Sequence, residues 1–273
     1  MIGNSDRYEI PRWAIMWGVA WGLFSILKLL TWANRTSKSA PVWKHVAYLV
    51  AWPGMDVDTF LTVPALHPPA LGAWAFAFSK MLGGLAVLLL VVPQFPSDQP
   101  FLLGWVGMWG IVFLLHFGLF DVLACCWQAC GIKAVPIMNW PLRSRSLAEF
   151  WGQRWNLAFR DLTHRYLFRP LVPLAGPVGA LFMGFVVSGL IHDVVISLPA
   201  GGGYGLPTAY FLLQGAALIF ERSRWGRALG PGHGWQGWIF AACVVLIPCP
   251  LLFHRPFVCG VMFPFLQWLG LNT

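Results

Sequence analysis

The chain has 273 residues, of which 58% are hydrophobic and 10% charged, with a formal net charge of +8. A soluble domain carries about a quarter charged residues, so this composition cannot coat a water-facing surface and excludes an ordinary soluble globular domain. The excess of Lys and Arg lies in short segments between apolar runs rather than along one polar face, which points to membrane topology and away from a nucleic-acid partner.

In chain order, the first apolar run extends from about Trp13 to Ala33, long enough to cross the ~30 Å hydrocarbon core as a helix. It follows a polar stretch with Arg7, Glu9 and Arg12 and has no clear small-residue cleavage site, so it reads as retained rather than as a signal peptide. A basic stretch with Arg35, Lys38 and Lys44 comes next. The run at 43–52 is too short to cross and is broken by Pro53 and Gly54 in AWPGMD, which predicts a re-entrant or interfacial piece. A second span at about 70–92 and a third at about 101–126 are separated by PQFPSDQP, a loop without Lys or Arg.

Residues 131–170 contain Lys133, Arg143, Arg145, Arg154, Arg160, Arg165 and Arg169, and the positive-inside rule places them in the cytoplasm. Two further spans, about 174–198 and 206–220, are joined by the turn AGGGYG. They return the chain to a second basic cluster at 222–227, with Arg222, Arg224 and Arg227, predicted on the same side. A last span at about 235–253 leads to an apolar tail at 256–270 that is a candidate short crossing. The expected fold is an all-α polytopic membrane protein, a single domain over 1–273 with about six to eight transmembrane helices and a cytoplasmic amphipathic helix within 136–170. Seventeen Trp suit the headgroup level, where one end of the indole is apolar and the other wet. The six Cys, including Cys125, Cys126 and Cys130, lack two well-spaced pairs for zinc and read as reduced, buried packing residues.

Chemistry concentrates in two places. In SLAEFWGQRWNLAFRDLTHRYLFRPL, Ser146 and Glu149 stand at capping-box spacing and predict a helix start. At 100° per residue Leu147, Trp151, Trp155, Ala158, Phe159, Leu162 and Tyr166 share one side, opposite Glu149, Gln153, Asn156, Arg160 and His164. Periodicity alone is satisfied by a juxtamembrane helix that snorkels Arg to lipid phosphates. The second place is FVVSGLIHDVVIS, where His192 and Asp193 interrupt an apolar span. Ionisable groups at membrane depth are costly and usually have a task. A neutral imidazole there can act as a general base, or can be a structural hydrogen-bonding group between helices. His116 and Asp121 in the third span are weaker candidates, and two lone His without carboxylate spacing do not make a metal site, so no metal is expected.

Taken together, FWGQRWN with the YLFRPL end of its helix, SGLIH in a later span, and YFLLQG followed by Glu221 resemble the membrane-bound O-acyltransferase family, particularly its wax-synthase-like branch, over about 146–221. AWPGMD is a fainter echo upstream. The resemblance implies transfer of a fatty acyl group from acyl-CoA to the hydroxyl of a lipophilic alcohol, inside a chamber formed by the helices. It maps the catalytic His onto His192 and the companion position onto Asn156, where wax-synthase-like relatives often have His and sterol and diacylglycerol acyltransferases have Asn.

With that mapping, His192 is the expected general base and Asn156, which does not titrate usefully, a positioning group. Trp151, Arg154, Trp155, Arg160, Ser188 and Gln214 are the further candidates for contact with acyl donor or acceptor, Arg154 and Arg160 as phosphate partners. Ser188 and Gly189 also suit close helix packing, and Gln214 suits interhelical hydrogen bonding. The expected partners are acyl-CoA as co-substrate, a lipophilic alcohol and membrane lipids, with no separate cofactor. Two other readings share these residues: a transporter or channel that uses His116, Asp121, His192 and Asp193 as a path, and an inactive scaffold of the same fold. No internal repeat supports the transporter.

Overall fold

A computed structural model describes residues 10–37, 39–230, 232 and 234–271; Arg7, Glu9 and Lys38 of the sequence reading lie outside the described residues. The chain is an all-α polytopic membrane protein. Among the described residues the only strand-like pairing is an isolated antiparallel bridge between Pro64 and Ile132.

Helix α1 (Arg12–Ala33) is the first span, and α2 (Val42–Ala51) and α3 (Val57–Thr62) follow it. At 10 residues α2 is about 15 Å long and cannot cross, as its composition predicts. The AWPGMD loop between α2 and α3 is pinned to α1. Lys28 is buried with its Nζ donating to the Gly54 carbonyl and resting 3.4 Å from the Tyr48 ring centroid. Next come two long spans, α4 (Leu71–Gln94) and α5 (Pro100–Ala129), both with π-helical turns in their interiors. A short turn, α6, runs Leu147–Glu149 and widens into the π-helical Phe150–Arg154.

Helix α7 covers Leu157–Ala200. Forty-four residues would extend about 66 Å as one straight helix, twice a bilayer core. It is two arms instead. Gly176, between Pro173 and Pro177, takes φ 67°, which breaks the hydrogen-bond ladder at a place only glycine occupies cheaply. Helix α8 (Leu206–Arg222) returns antiparallel to the second arm, then come α9 (Arg224–Leu229), the span α10 (Gly234–Leu252), and a helical tail, α11, made of Arg255–Phe257, Val258–Met262 and Phe263–Trp268.

Among the described residues five helices are long and apolar enough to cross, fewer than the six to eight expected. The 206–220 span is a helix, but α8 has 17 residues, about 26 Å, and ends in Glu221 and Arg222. The tail at 256–270 folds inward: Val258, Val261 and Leu266 are fully buried in the main core, with Val258 against Gly104 and Leu266 against Gly107 of α5. By contrast Trp21 and Ile26 of α1, Leu90 of α4 and Leu174 of α7 stay exposed, the pattern of a lipid-facing surface.

The pairing of α7 with α8 positions the site. Gly189 lies where any Cβ would stand 2.6 Å from Thr208 Cα, so the two backbones touch because that residue is Gly. Asp193 then locks the pair. Its carboxylate accepts from Ser197 Oγ (2.9 Å), Gly205 N (2.8 Å), Thr208 N (3.2 Å) and Thr208 Oγ, capping the N-terminus of α8 from the neighbouring helix. Ser197 also meets His254 Nε2 at 3.1 Å, extending the network to the start of α11. Asp193→Ala orphans two backbone donors and is expected to cost about 2–4 kcal/mol, with Asp193→Asn milder. Thermal unfolding in detergent checks this, and an unchanged melting temperature for the Ala variant contradicts it.

Candidate active site

The helix predicted to run unbroken through 146–170 is broken in the middle. Ser146 caps its start as expected, accepting from Glu149 N at 3.0 Å. Glu149 does not return the bond to Ser146. Its carboxylate takes Arg145 N (2.7 Å) and Arg154 Nε (2.7 Å) instead. Burial raises the Glu149 carboxyl, but these donors and the charges of Arg154 and Arg145 outweigh it and hold the group below its ordinary value. Beyond the π-helical Phe150–Arg154, Trp155 is extended and Asn156 left-handed at φ 42°, ψ 62°.

Three non-local bonds explain the break. Asn139 N donates to Arg154 O (2.8 Å), Leu157 N to Ile137 O (2.9 Å) and Asn156 N to Met138 Sδ (3.3 Å). The 137–139 segment, which is outside any helix, therefore takes the backbone groups that a continuous helix would use itself. Asn tolerates the left-handed region better than other side-chain-bearing residues, and here its Oδ1 accepts from Phe159 N (3.1 Å) to cap α7. Its Nδ2 makes no hydrogen bond among the described residues.

His192 sits half-buried on the second arm of α7, one residue before a π-helical turn, Asp193–Ser197. Its Nδ1 lies 2.7 Å from Ser188 O. A carbonyl only accepts, so Nδ1 carries the proton, and Nε2 keeps its lone pair with no protein partner among the described residues. Ser188 thus serves through its backbone. Below the imidazole lies Phe211 of α8, centroids 4.5 Å apart.

Phe211 was not singled out in the sequence, although it stands one helical turn before Gln214 on the same face. Gln214 is fully buried; its Oε1 accepts from Trp151 Nε1 (3.3 Å), and its Nε2 donates to Val244 O on α10 (2.7 Å). Trp151 also packs on Phe185 and Phe211 at 5.7 and 5.9 Å. His192, Ser188, Trp151 and Gln214 therefore form one cluster.

Asn156 stands outside it. No hydrogen bond or ring contact joins it to His192; a path of rings leads from His192 through Phe211, Trp151 and Phe150 to Trp155, its neighbour. Arg154 is bound to Glu149 (2.5 Å) and to the carbonyls of Asn139 and Trp140. Arg160 pairs with Asp161 (2.5 Å) and donates to Gly152 O. Two cavities adjoin this region: one of about 870 Å³ beside Arg145 and Glu149, one of about 250 Å³ between the AWPGMD loop and Leu157. Neither is lined by His192 or Asn156.

Glu221 is the residue whose task the sequence left unassigned. At the far end of α8 its buried carboxylate accepts from Leu147 N (2.6 Å) and Ala148 N (3.1 Å). Helix α8 thus holds the first half of the segment containing the FWGQRWN string at two points, by Glu221 at Leu147 and Ala148 and by Gln214 at Trp151, while Phe211 supports His192.

Residues 134–213, which carry Trp151, Asn156, Ser188, His192 and Phe211 but not Gln214 or Glu221, match the Membrane bound O-acyl transferase family. The chain is 30% identical over 188 residues to probable long-chain-alcohol O-fatty-acyltransferase 1 of Arabidopsis thaliana, covering 63% of this chain and 52% of that protein. Over 148 residues it is 28% identical to the long-chain-alcohol O-fatty-acyltransferase of Simmondsia chinensis, 49% of this chain and 41% of that one. It is also 31% identical over 94 residues to acyl-CoA–sterol O-acyltransferase 1 of Arabidopsis thaliana, 30% of this chain and 27% of the relative. The chain spans about half the length of the relatives it matches, or less. The part of the chain that holds Asn156 and His192 is therefore the part that matches the Membrane bound O-acyl transferase family, and these similar proteins are long-chain-alcohol and sterol O-acyltransferases.

Proposed function

We propose that the chain transfers a fatty acyl group from acyl-CoA to the hydroxyl of a lipophilic alcohol, yielding a wax ester, sterol ester or similar lipid, with His192 as general base. The observation that carries this reading is the Nδ1 bond of His192 to Ser188 O, which leaves Nε2 as the basic atom. Nε2 takes the hydroxyl proton as the alcohol oxygen bonds to the thioester carbonyl carbon. The tetrahedral adduct then breaks its C–S bond, and the imidazolium returns the proton to the departing thiolate, giving ester and free coenzyme A. Phe211 beneath the ring and Ser188 O beside it fix the imidazole, so little orientation is lost on reaching the transition state.

Asn156 has spent Oδ1 on its cap, so its Nδ2 is the donor left to orient an acceptor or polarise the carbonyl. The segments at 131–170 and 222–227 face the cytosol, where acyl-CoA arrives, while the alcohol enters from the bilayer. Purified protein in nanodiscs, given acyl-CoA and a long-chain alcohol or sterol, is expected to form ester and release coenzyme A in equal amounts by mass spectrometry and thiol titration. Thioester hydrolysis without ester, or no turnover with any alcohol or sterol, overturns the assignment.

A further inference from the structure

The larger cavity is a groove between residues 142–154 and the start of α10, lined among others by Arg143, Arg145, Arg154, Glu149, Trp235 and Trp238. Its charges do not cancel. Arg154 is spent on Glu149, whereas neither Arg143 nor Arg145 belongs to an ion pair among the described residues. Arg143 lies 4.1 Å over the Trp140 ring, and both Arg143 and Arg145 are exposed. The aromatic wall is open too: Trp235 is 71% and Trp238 47% exposed, and Trp238 is anchored by its Nε1 to Leu142 O at 2.7 Å.

Exposed Arg near a membrane needs no ligand to account for it. Two open indoles lining one concave space with two unpaired guanidinium groups ask for more, because the first bind a flat ring and the second a phosphate. A lipid headgroup supplies the phosphate without the ring.

We propose that this groove binds a phosphate-bearing aromatic ligand, the nucleotide end of the thioester donor, with Trp235 and Trp238 stacking on the base and Arg143 and Arg145 pairing with its phosphates. This rests on the acyltransferase reading for the ligand's identity. It moves the phosphate contacts from Arg154 and Arg160, both held in ion pairs, to Arg143 and Arg145, which are in none among the described residues.

The test uses the full chain in phosphatidylcholine nanodiscs, with Arg143→Ala/Arg145→Ala and, separately, Trp235→Ala, whose exposed ring can be removed without a packing loss. Binding of deacylated coenzyme A is measured first, then KM for acyl-CoA and for the matching acyl-pantetheine, which has the same thioester and no nucleotide. In both variants coenzyme A affinity is expected to fall about tenfold or more, and the ratio of the two KM values to rise by a like factor. Unchanged coenzyme A affinity, or KM values that rise equally for both donors, overturns the groove while leaving the acyltransferase reading intact. Loss of coenzyme A binding in a protein that turns over neither donor keeps the groove and removes the acyltransferase reading. Repeating the binding with phosphatidylserine added separates the sources: an Arg pair that affects only the anionic lipid, and not coenzyme A, overturns the proposal.

Discussion

His192→Ala is expected to leave the fold intact and to remove nearly all ester formation, a loss of about 10²–10⁴-fold, the usual contribution of a positioned base. The fold survives because, among the described residues, the imidazole makes one hydrogen bond, to the Ser188 carbonyl within its own helix, and one ring contact, to Phe211. Packing of α7 on α8 relies on Gly189 and Asp193 instead. Equal melting temperatures for the two proteins, measured beside the ester assay, separate chemistry from stability. Wild-type turnover in His192→Ala removes this residue from catalysis. Asn156→Ala should lose less activity, because a positioning amide contributes orientation and not proton transfer. It should also lower the melting temperature slightly, since the α7 cap goes with it, about 1 kcal/mol.

Glu221→Ala is expected to lower both the melting temperature and the turnover, by a route that does not touch the reacting atoms. The carboxylate holds two consecutive backbone donors, Leu147 N and Ala148 N, at the start of the turn that leads into Trp151. Hydrogen bonds to charged groups contribute about 1.5–3 kcal/mol each, and of the two donors left behind Leu147 N is buried and Ala148 N part-buried. The segment from Leu147 to Asn156 then loses its fixed register against α8, and Trp151 its alignment with Gln214. Glu221→Gln keeps one acceptor and should fall between wild type and Ala in both measurements. A Glu221→Ala protein with wild-type melting and turnover shows that the clamp contributes nothing.

Much of this was legible in the sequence for a simple reason: lipid removes water as a hydrogen-bonding partner, so long apolar runs must be helices, and their lengths show in hydropathy. That fixed α1, α4, α5 and α10 to within a few residues, and it identified His192 as an ionisable group where one is costly. Ser146 and Glu149 marked the start of a helical turn correctly because capping acts over three residues.

The interruption at Trp155 and Asn156 was not legible. Its cause is Ile137, Met138 and Asn139, whose backbone and thioether take the groups a continuing helix needs, and periodicity within 146–170 carries no trace of them. The roles of Asp193 and Glu221 escaped for the same reason. Each carboxylate caps a helical turn other than its own, Asp193 across 12–15 residues and Glu221 across 73–74. Composition and spacing located the long apolar helices α1, α4, α5 and α10 and singled out candidate residues for the chemistry. Tertiary structure alone decided which backbone donors those carboxylates satisfy, because a hydrogen bond depends on where two groups meet in space and not on how far apart they stand in the chain.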